Sequence, residues 1–188
     1  SILQLPEETY RRYIGGSGLA ARLFWDRADF SADPLSPEAI LILMNGPLTG
    51  VKLSGVSRMN ATARSPLTGG IAESSCGGHF PPALRLAGFD GLILSGRAKS
   101  PSVLLIENES VSVRDAGNLW GMGVLECTRE LKKTYGKKST SLVIGPAGEN
   151  GVPFACILNE AHHAFGRCGM GAVMGAKNLK ALVVQSGA

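Results

Sequence analysis

The segment FGRCGMGAVMG, residues 165–175, places four glycines beside an arginine and a cysteine. The apolar run ALVVQ, residues 181–185, follows it and predicts a strand near the end of the sequence. Glycine clusters of this kind have two interpretations. They allow tight turns, or they leave the backbone bare so that a ligand or another chain segment can approach it. The residues alone leave both open.

A second glycine-rich segment, SSCGGHF at residues 74–80, has similar surroundings. LILMNGPLTG, residues 41–50, is similar to SLVIGPAGENG, residues 141–151, and each predicts an apolar strand followed by a Gly-Pro turn. AGFDGLILSGRA, residues 87–98, is similar to AKNLKALVVQSGA, residues 176–188. We therefore predict an α+β fold in one domain. It would be built from two related, duplicated β-rich halves with a few short helices, and the repeated units would be Gly46–Leu92 and Gly145–Leu182.

Hydrophobic periodicity and turn residues predict the elements of these halves. The predicted helices cover residues 7–14, a segment N-capped by Ser17, residues 82–87, and residues 124–135 ended by Gly136. Residues 73–81 and 165–171 are predicted as loops, and GPAGEN, residues 145–150, as a turn. Strands are predicted at 39–44, 58–63, 89–96, 140–145, 154–159 and 179–185, with a hairpin over 103–115.

Composition limits the class of protein. The 188 residues carry a net charge of +4 and 44% hydrophobic residues, values typical of one globular domain over residues 1–188. A charge this small and an aromatic content of 6% argue against nucleic acid as a partner. The sequence has no apolar run of membrane-spanning length and starts without the pattern of a signal peptide, so we expect a cytoplasmic location and no membrane contact.

Several residue types near the glycines could do chemistry, and each has a structural alternative. Arginines at 58, 64 and 167 could bind phosphate or pair with surface carboxylates. Cys76 and Cys168 could be reactive thiols or small packing residues, and the sequence has no C-x-x-C spacing. The histidines could bind a metal, hydrogen-bond a ligand, or lie partly buried. No Walker lysine, nucleophile elbow or G-x-G-x-x-G order is present, so we predict no catalytic residue acting unaided.

Taken together, six motifs resemble the N-terminal domain of the tungsten-containing aldehyde ferredoxin oxidoreductase family. The resemblance covers almost the whole chain, and GPAGEN followed by GAVMGAKNLKA is its most specific part. The motifs, in chain order, are GGSGLAARLFWD, DPLSPE, GPLTG, SPLTGG, GPAGEN and GRCGMGAVMGAKNLKALVV.

The resemblance implies that this domain is the base for a bis-pterin tungsten (or molybdenum) cofactor, and that the two glycine-rich loops approach the pterins and their phosphates. Main-chain carbonyls of Ser75 and Ala164 would help hold a magnesium ion between the phosphates. The positions that match cofactor-binding residues of the family are Arg58, Ser75, Gly77, His163, Ala164, Gly166 and Cys168.

The sequence departs from that pattern at two positions. Ser75 stands where the family has asparagine, but a backbone carbonyl can bind magnesium whatever the side chain is. His163 stands where it has arginine, so a permanently charged guanidinium is replaced by an imidazole without a permanent charge, which weakens anion binding at pH 7.

The resemblance also implies partners. In the family, further helical domains carry the C-x-x-C-x-x-x-C ligands of a [4Fe–4S] cluster and most of the substrate cavity. The enzymes oxidise aldehydes to carboxylic acids and pass electrons to ferredoxin. We therefore expect these domains or a separate subunit, ferredoxin through them, and an aldehyde as partners. We also expect a homo-oligomer, because a cofactor domain alone would expose apolar surface. The rival hypothesis is a binding or scaffold module that kept the fold and lost the cofactor.

Overall fold

Two β-sheets with mostly antiparallel strands form the framework of the protein. We describe it from a computed structural model covering residues 1–160 and 162–185. The strands are β1 Leu41–Asn45, β2 Met59–Arg64, β3 Ile71–Cys76, β4 Gly91–Leu94, β5 Ser102–Glu107, β6 Ser110–Asp115, β7 Thr140–Val143, β8 Ile157–Asn159, β9 His163–Phe165 and β10 Leu179–Val184. The helices within these residues are α1 Glu7–Tyr13, α2 Gly16–Arg27, α3 Phe80–Leu86, α4 Val124–Tyr135, α5 Pro146–Glu149 and α6 Met170–Ala176.

The strand order relates the two sheets. The four-stranded sheet runs β3-β2-β1-β4, and the six-stranded sheet runs β6-β5-β10-β7-β8-β9. Read from its β9 edge, the six-stranded sheet begins β9-β8-β7-β10, which matches the order β3-β2-β1-β4 of the first sheet. In the matching places, α3 precedes β4 and α6 precedes β10. This is a likeness of topology, and a duplication of the sequence stays a prediction. The Ser-Gly ending that supported it, at residues 186–187, lies outside the described residues.

Successive side chains of a strand point to opposite faces of its sheet, and this explains how the layers stack. In β1, Leu41 and Leu43 face a core shared by both sheets, whereas Ile42 packs on α2. In β10, Leu182 faces the shared core and Val183 packs toward α4. Because both faces of these strands are covered, their sequences read as continuous apolar runs. Helices α3 and α6 lie in the shared core, and the whole is a mixed α/β single domain.

Four local predictions from the sequence were wrong. Ser17 is not an N-cap, since α2 already begins at Gly16 and makes no side-chain capping bond. The predicted loop over 73–81 contains most of β3, the predicted turn GPAGEN contains α5, and α6 begins at Met170, inside the predicted loop over 165–171. The helix over 124–135 and the hairpin are confirmed. In the described part of the chain, no helix is long and apolar enough to cross a membrane.

Candidate functional site

Two sheet edges meet where the candidate residues lie. β3 is an edge strand of the four-stranded sheet, β9 is an edge strand of the six-stranded sheet, and the two strands contact each other. Ser75 lies in β3, and both His163 and Ala164 lie in β9. Edge strands leave part of their backbone polar groups without a ladder partner. This junction therefore offers backbone N–H and C=O groups from both sheets.

The two glycine-rich segments touch at this junction. A Cβ built on Gly77 would lie 3.9 Å from Nδ1 of His163. The Cys168 Sγ lies 3.5 Å from the Glu73 carbonyl oxygen, and the Arg167 N–H donates to Ser74 Oγ at 3.5 Å. The structure thus brings Ser75 and Gly77 together with the segment containing His163, Ala164, Gly166 and Cys168, although these two parts of the chain are far apart in sequence.

Most candidate side chains at the junction are accessible. Arg58, Ser75, His163, Ala164 and Gly166 are exposed. Gly77 and Cys168 are half-buried, and the Cys168 backbone is left-handed with φ 70°. Arg58 immediately precedes β2 and is adjacent to Met59, which pairs with Cys76 across the sheet. Its positive charge therefore lies beside the end of β3.

Burial bears on whether Cys76 is a reactive thiol. It raises the pKa of the Cys76 thiol to about 11, against a smaller lowering by the Arg58 charge. The thiol is therefore protonated at neutral pH, which favours the alternative that Cys76 is a packing residue. All four cysteines are free thiols.

The glycines of the opening segment have different functions. A Cβ on Gly169 would lie 2.0 Å from the Pro153 oxygen, one on Gly171 would lie 2.4 Å from the Cys156 oxygen, and one on Gly175 would lie 2.0 Å from the Gly148 oxygen. A real Cβ atom does not come this close to a nonbonded backbone atom, so these three glycines are required for close packing of α6. Only at Gly166 is the surrounding space open, with the nearest atom 3.9 Å away. Close approach of another chain segment therefore explains three of the four glycines, and ligand access stays a prediction for the loop that contains Gly166.

A cleft of about 260 Å³ opens beside Gly166, on the side of the SPLTG turn. It combines two exposed apolar side chains, Leu67 and Phe154, with hydroxyl groups and the exposed Arg167. Its lining residues are Ser65, Leu67, Thr68, Phe154, Gly166, Arg167 and Cys168.

Ser57 and Asn159 also belong to this junction, and sequence reasoning missed both. The Asn159 amide Nδ2 donates to the Gly77 carbonyl at 2.7 Å, and the Ser57 hydroxyl donates to the Gly78 carbonyl at 2.7 Å. Their hydrogen-bond partners lie 82 and 21 positions away in the chain, so no local pattern in the sequence marked either residue.

A side-chain metal centre is absent from the part of the chain that the structure describes, where no three His, Cys, Asp or Glu residues are grouped to hold an ion. The magnesium prediction uses main-chain carbonyls of Ser75 and Ala164, and hard oxygen ligands of this kind suit magnesium. Both residues lie on the two edge strands that meet, and magnesium at this place stays a prediction.

Comparisons with known proteins define the class. The family model for the aldehyde ferredoxin oxidoreductase N-terminal domain matches residues 1–186. The chain belongs to this family of oxidoreductases and covers its N-terminal domain.

Individual relatives agree with this assignment. The chain is 43% identical over 185 residues to a tungsten-containing aldehyde ferredoxin oxidoreductase of Pyrococcus furiosus, covering 98% of this chain and 31% of that protein. It is 36% identical to an aliphatic sulfonate oxidoreductase, WOR-like subunit, of the same organism, over 97% of this chain and 32% of the relative. The chain thus spans about a third of the length of these relatives.

Among solved structures, the active site complex BamBC of benzoyl coenzyme A reductase, bound to 1,5-dienoyl-CoA, has the same fold. The TM-score is 0.94 at 37% identity, covering 98% of this chain and 28% of that one.

Proposed function

We propose that this chain is the cofactor-binding domain of a tungsten or molybdenum oxidoreductase, with residues 1–188 forming the tungstopterin-binding unit. The observation that carries the proposal is the meeting of the β3 and β9 edges, with Gly77 against the His163 ring. Two relatives that are 43% identical to this chain are named as tungsten-containing enzymes, and this supports the choice of metal.

Each of the candidate residues would bind a different part of the cofactor. The exposed Arg58 guanidinium suits a phosphate of the pterin cofactor, because its fork matches phosphate oxygens. Main-chain carbonyls of Ser75 and Ala164 would hold magnesium between two such phosphates. Gly77 and Gly166 would present backbone to the ligand, and His163 and Cys168 would contact its edge. When bound, the metal-pterin supplies the redox chemistry, and these residues bind and orient it.

Membership of the family supports a proposal for the activity of the whole protein. We propose oxidation of an aldehyde to a carboxylic acid, with electrons passing through a [4Fe–4S] cluster to ferredoxin. The chain has no C-x-x-C-x-x-x-C segment, so the cluster and most of the substrate cavity would come from helical domains or a partner subunit. The chain spans about a third of the length of these relatives, which leaves room in them for such further domains.

Metal and pterin analysis tests the proposal. The chain is produced anaerobically with tungstate, together with the remaining domains of a relative, and tungsten is measured by elemental analysis and pterin by fluorescence. We expect both in the wild type and a marked loss in Arg58→Ala. The control Arg114→Ala removes an exposed arginine from β6, the edge of the six-stranded sheet opposite β9, and should keep both. A folded wild type without metal or pterin would instead support the scaffold hypothesis.

We also propose a cytoplasmic location and self-association of the isolated chain. Leu67 and Phe154 beside the cleft are 59% and 66% exposed, which is apolar surface that a partner would cover. Sedimentation velocity should show a dimer or larger species at high concentration, and a monomer throughout would contradict self-association.

A further inference from the structure

Two consecutive carbonyl groups of the glycine-rich segment SSCGGHF, residues 74–80, are held by side chains from distant parts of the chain. Asn159, in β8 of the six-stranded sheet, donates to the Gly77 carbonyl at 2.7 Å. Ser57, which precedes β2, donates to the Gly78 carbonyl at 2.7 Å. The orientation of both peptide groups is therefore fixed by residues outside the segment itself.

Packing fixes the same two peptides. Gly78 has φ +95°, a conformation that favours glycine, and a Cβ there would lie 2.5 Å from Asn159 Nδ2 and 2.8 Å from His163 Cδ2. The backbone thus lies directly on the Asn159 amide and the His163 ring. A side chain at position 78 would push the segment away from both.

These contacts direct two N–H groups. In a planar trans peptide the N–H points opposite to the C=O, so the N–H groups of Gly78 and His79 point away from Asn159 and Ser57. Among the described residues, no acceptor is recorded for either N–H group. Neighbouring N–H groups without acceptors attract anions. The nearby Arg58 charge, which is felt at Cys76, adds positive potential on this side.

The Asn159 side chain has a cost that packing does not explain. Asn159 is 0% exposed, and its Oδ1 is buried without a hydrogen-bond partner. An unpaired buried acceptor destabilises a fold, and an apolar residue of similar size would avoid that cost. Among the described residues, the side-chain hydrogen bond that Asn159 makes is the one from Nδ2 to the Gly77 carbonyl, so the amide fixes the orientation of this peptide.

We propose that Asn159 and Ser57 are positioning residues that direct the N–H groups of Gly78 and His79 toward a phosphate-type anion. The inference deepens the proposed function and rests on it only for the identity of that anion as the cofactor's phosphate.

Titration of the ¹⁵N-labelled chain with inorganic pyrophosphate, followed by amide NMR, tests the proposal. The wild type should show saturable shifts at Gly78 and His79. Asn159→Ala and Ser57→Ala should each weaken the dissociation constant about fivefold to tenfold, because one orienting hydrogen bond is lost. Ser57→Thr keeps the hydroxyl and should restore binding. Ser57 is only half-buried, so its variants should fold even if Asn159→Ala does not.

Asn45→Ala is the matched control. Asn45 is also 0% exposed, donates its Nδ2 to a backbone carbonyl (Pro81, 3.0 Å) and leaves Oδ1 unpaired. It should lose stability but bind pyrophosphate like the wild type. Absence of shifts at Gly78 and His79, unchanged binding in Ser57→Ala, or equal weakening by Asn45→Ala would overturn the proposal.

The outcomes separate this inference from the proposed function. Pyrophosphate binding at Gly78 and His79 in a chain that never retains pterin or metal would support the inference and defeat the proposed function. Retention of the cofactor by Ser57→Ala at the wild-type level, without amide shifts in pyrophosphate, would do the reverse.

Discussion

Replacing Gly171 by alanine should destabilise the protein strongly, because this glycine is required by packing. A Cβ there would lie 2.4 Å from the Cys156 oxygen and 2.7 Å from its carbonyl carbon. Both are backbone atoms that cannot rotate away. The Gly171 N–H also donates to the Ala155 carbonyl at 2.9 Å, so α6 cannot move outward without losing that bond.

The magnitude follows from three opposing terms. Alanine gains about 1 kcal/mol of helix propensity over glycine. Overpacking costs about 1–3 kcal/mol or more, and the strained hydrogen bond costs about 1 kcal/mol. We expect a net loss of about 2 kcal/mol in the free energy of unfolding, which lowers Tm by roughly 4–8 °C for a domain of this size.

Gly166→Ala is the matched control in the same segment. Its nearest neighbour would be the Ala164 Cβ at 3.9 Å, so stability should change by less than about 0.5 kcal/mol. Urea unfolding followed by circular dichroism measures both variants. Equal stability of Gly171→Ala and the wild type would refute the packing argument, and so would an equal loss in Gly166→Ala.

Three further predictions concern buried polar groups. Burial lowers the pKa of Lys177 to about 8, so the folded protein loses this proton before the unfolded chain does. The free energy of unfolding of the wild type, relative to Lys177→Met, should therefore rise by about 1 kcal/mol from pH 8 to pH 9 in urea titrations, and a constant difference would contradict this. Glu149→Ala leaves the fully buried Lys180 ammonium without its carboxylate and should cost about 3–5 kcal/mol in the same assay, whereas a loss under 1 kcal/mol would show that the pair is not desolvated. Finally, Cys76, 2% exposed with its pKa raised to about 11, should resist iodoacetamide at pH 8 in the folded state and react after unfolding, as measured by peptide mass spectrometry; rapid labelling of the folded protein would refute its burial.

Sequence patterns predicted the elements whose signals are local. Val124, Thr128, Leu131 and Tyr135 lie on one helical face before Gly136, and α4 covers Val124–Tyr135 as predicted. The helix α6 was missed because its glycines have low helix propensity, and it is stabilised by close packing on α5 that no local pattern shows. β3 was missed because an edge strand can carry the polar run ESSC.

The candidate site was predictable only in part. Family resemblance located the two glycine-rich segments, and the structure shows that they meet. Asn159 and Gly77 are 82 positions apart, so their hydrogen bond depends on how two sheets pack and leaves no local trace in the sequence. The assignment of the seven cofactor positions, from Arg58 to Cys168, stays a prediction.

The most direct test of cofactor binding is the tungsten and pterin content of the anaerobically purified wild type. It is compared with that of the Arg58→Ala variant, after both proteins have been shown to be equally stable. The account predicts stoichiometric metal and pterin in the wild type and their loss in the variant. A well-folded wild type that carries neither, in the presence of the remaining domains, would contradict it.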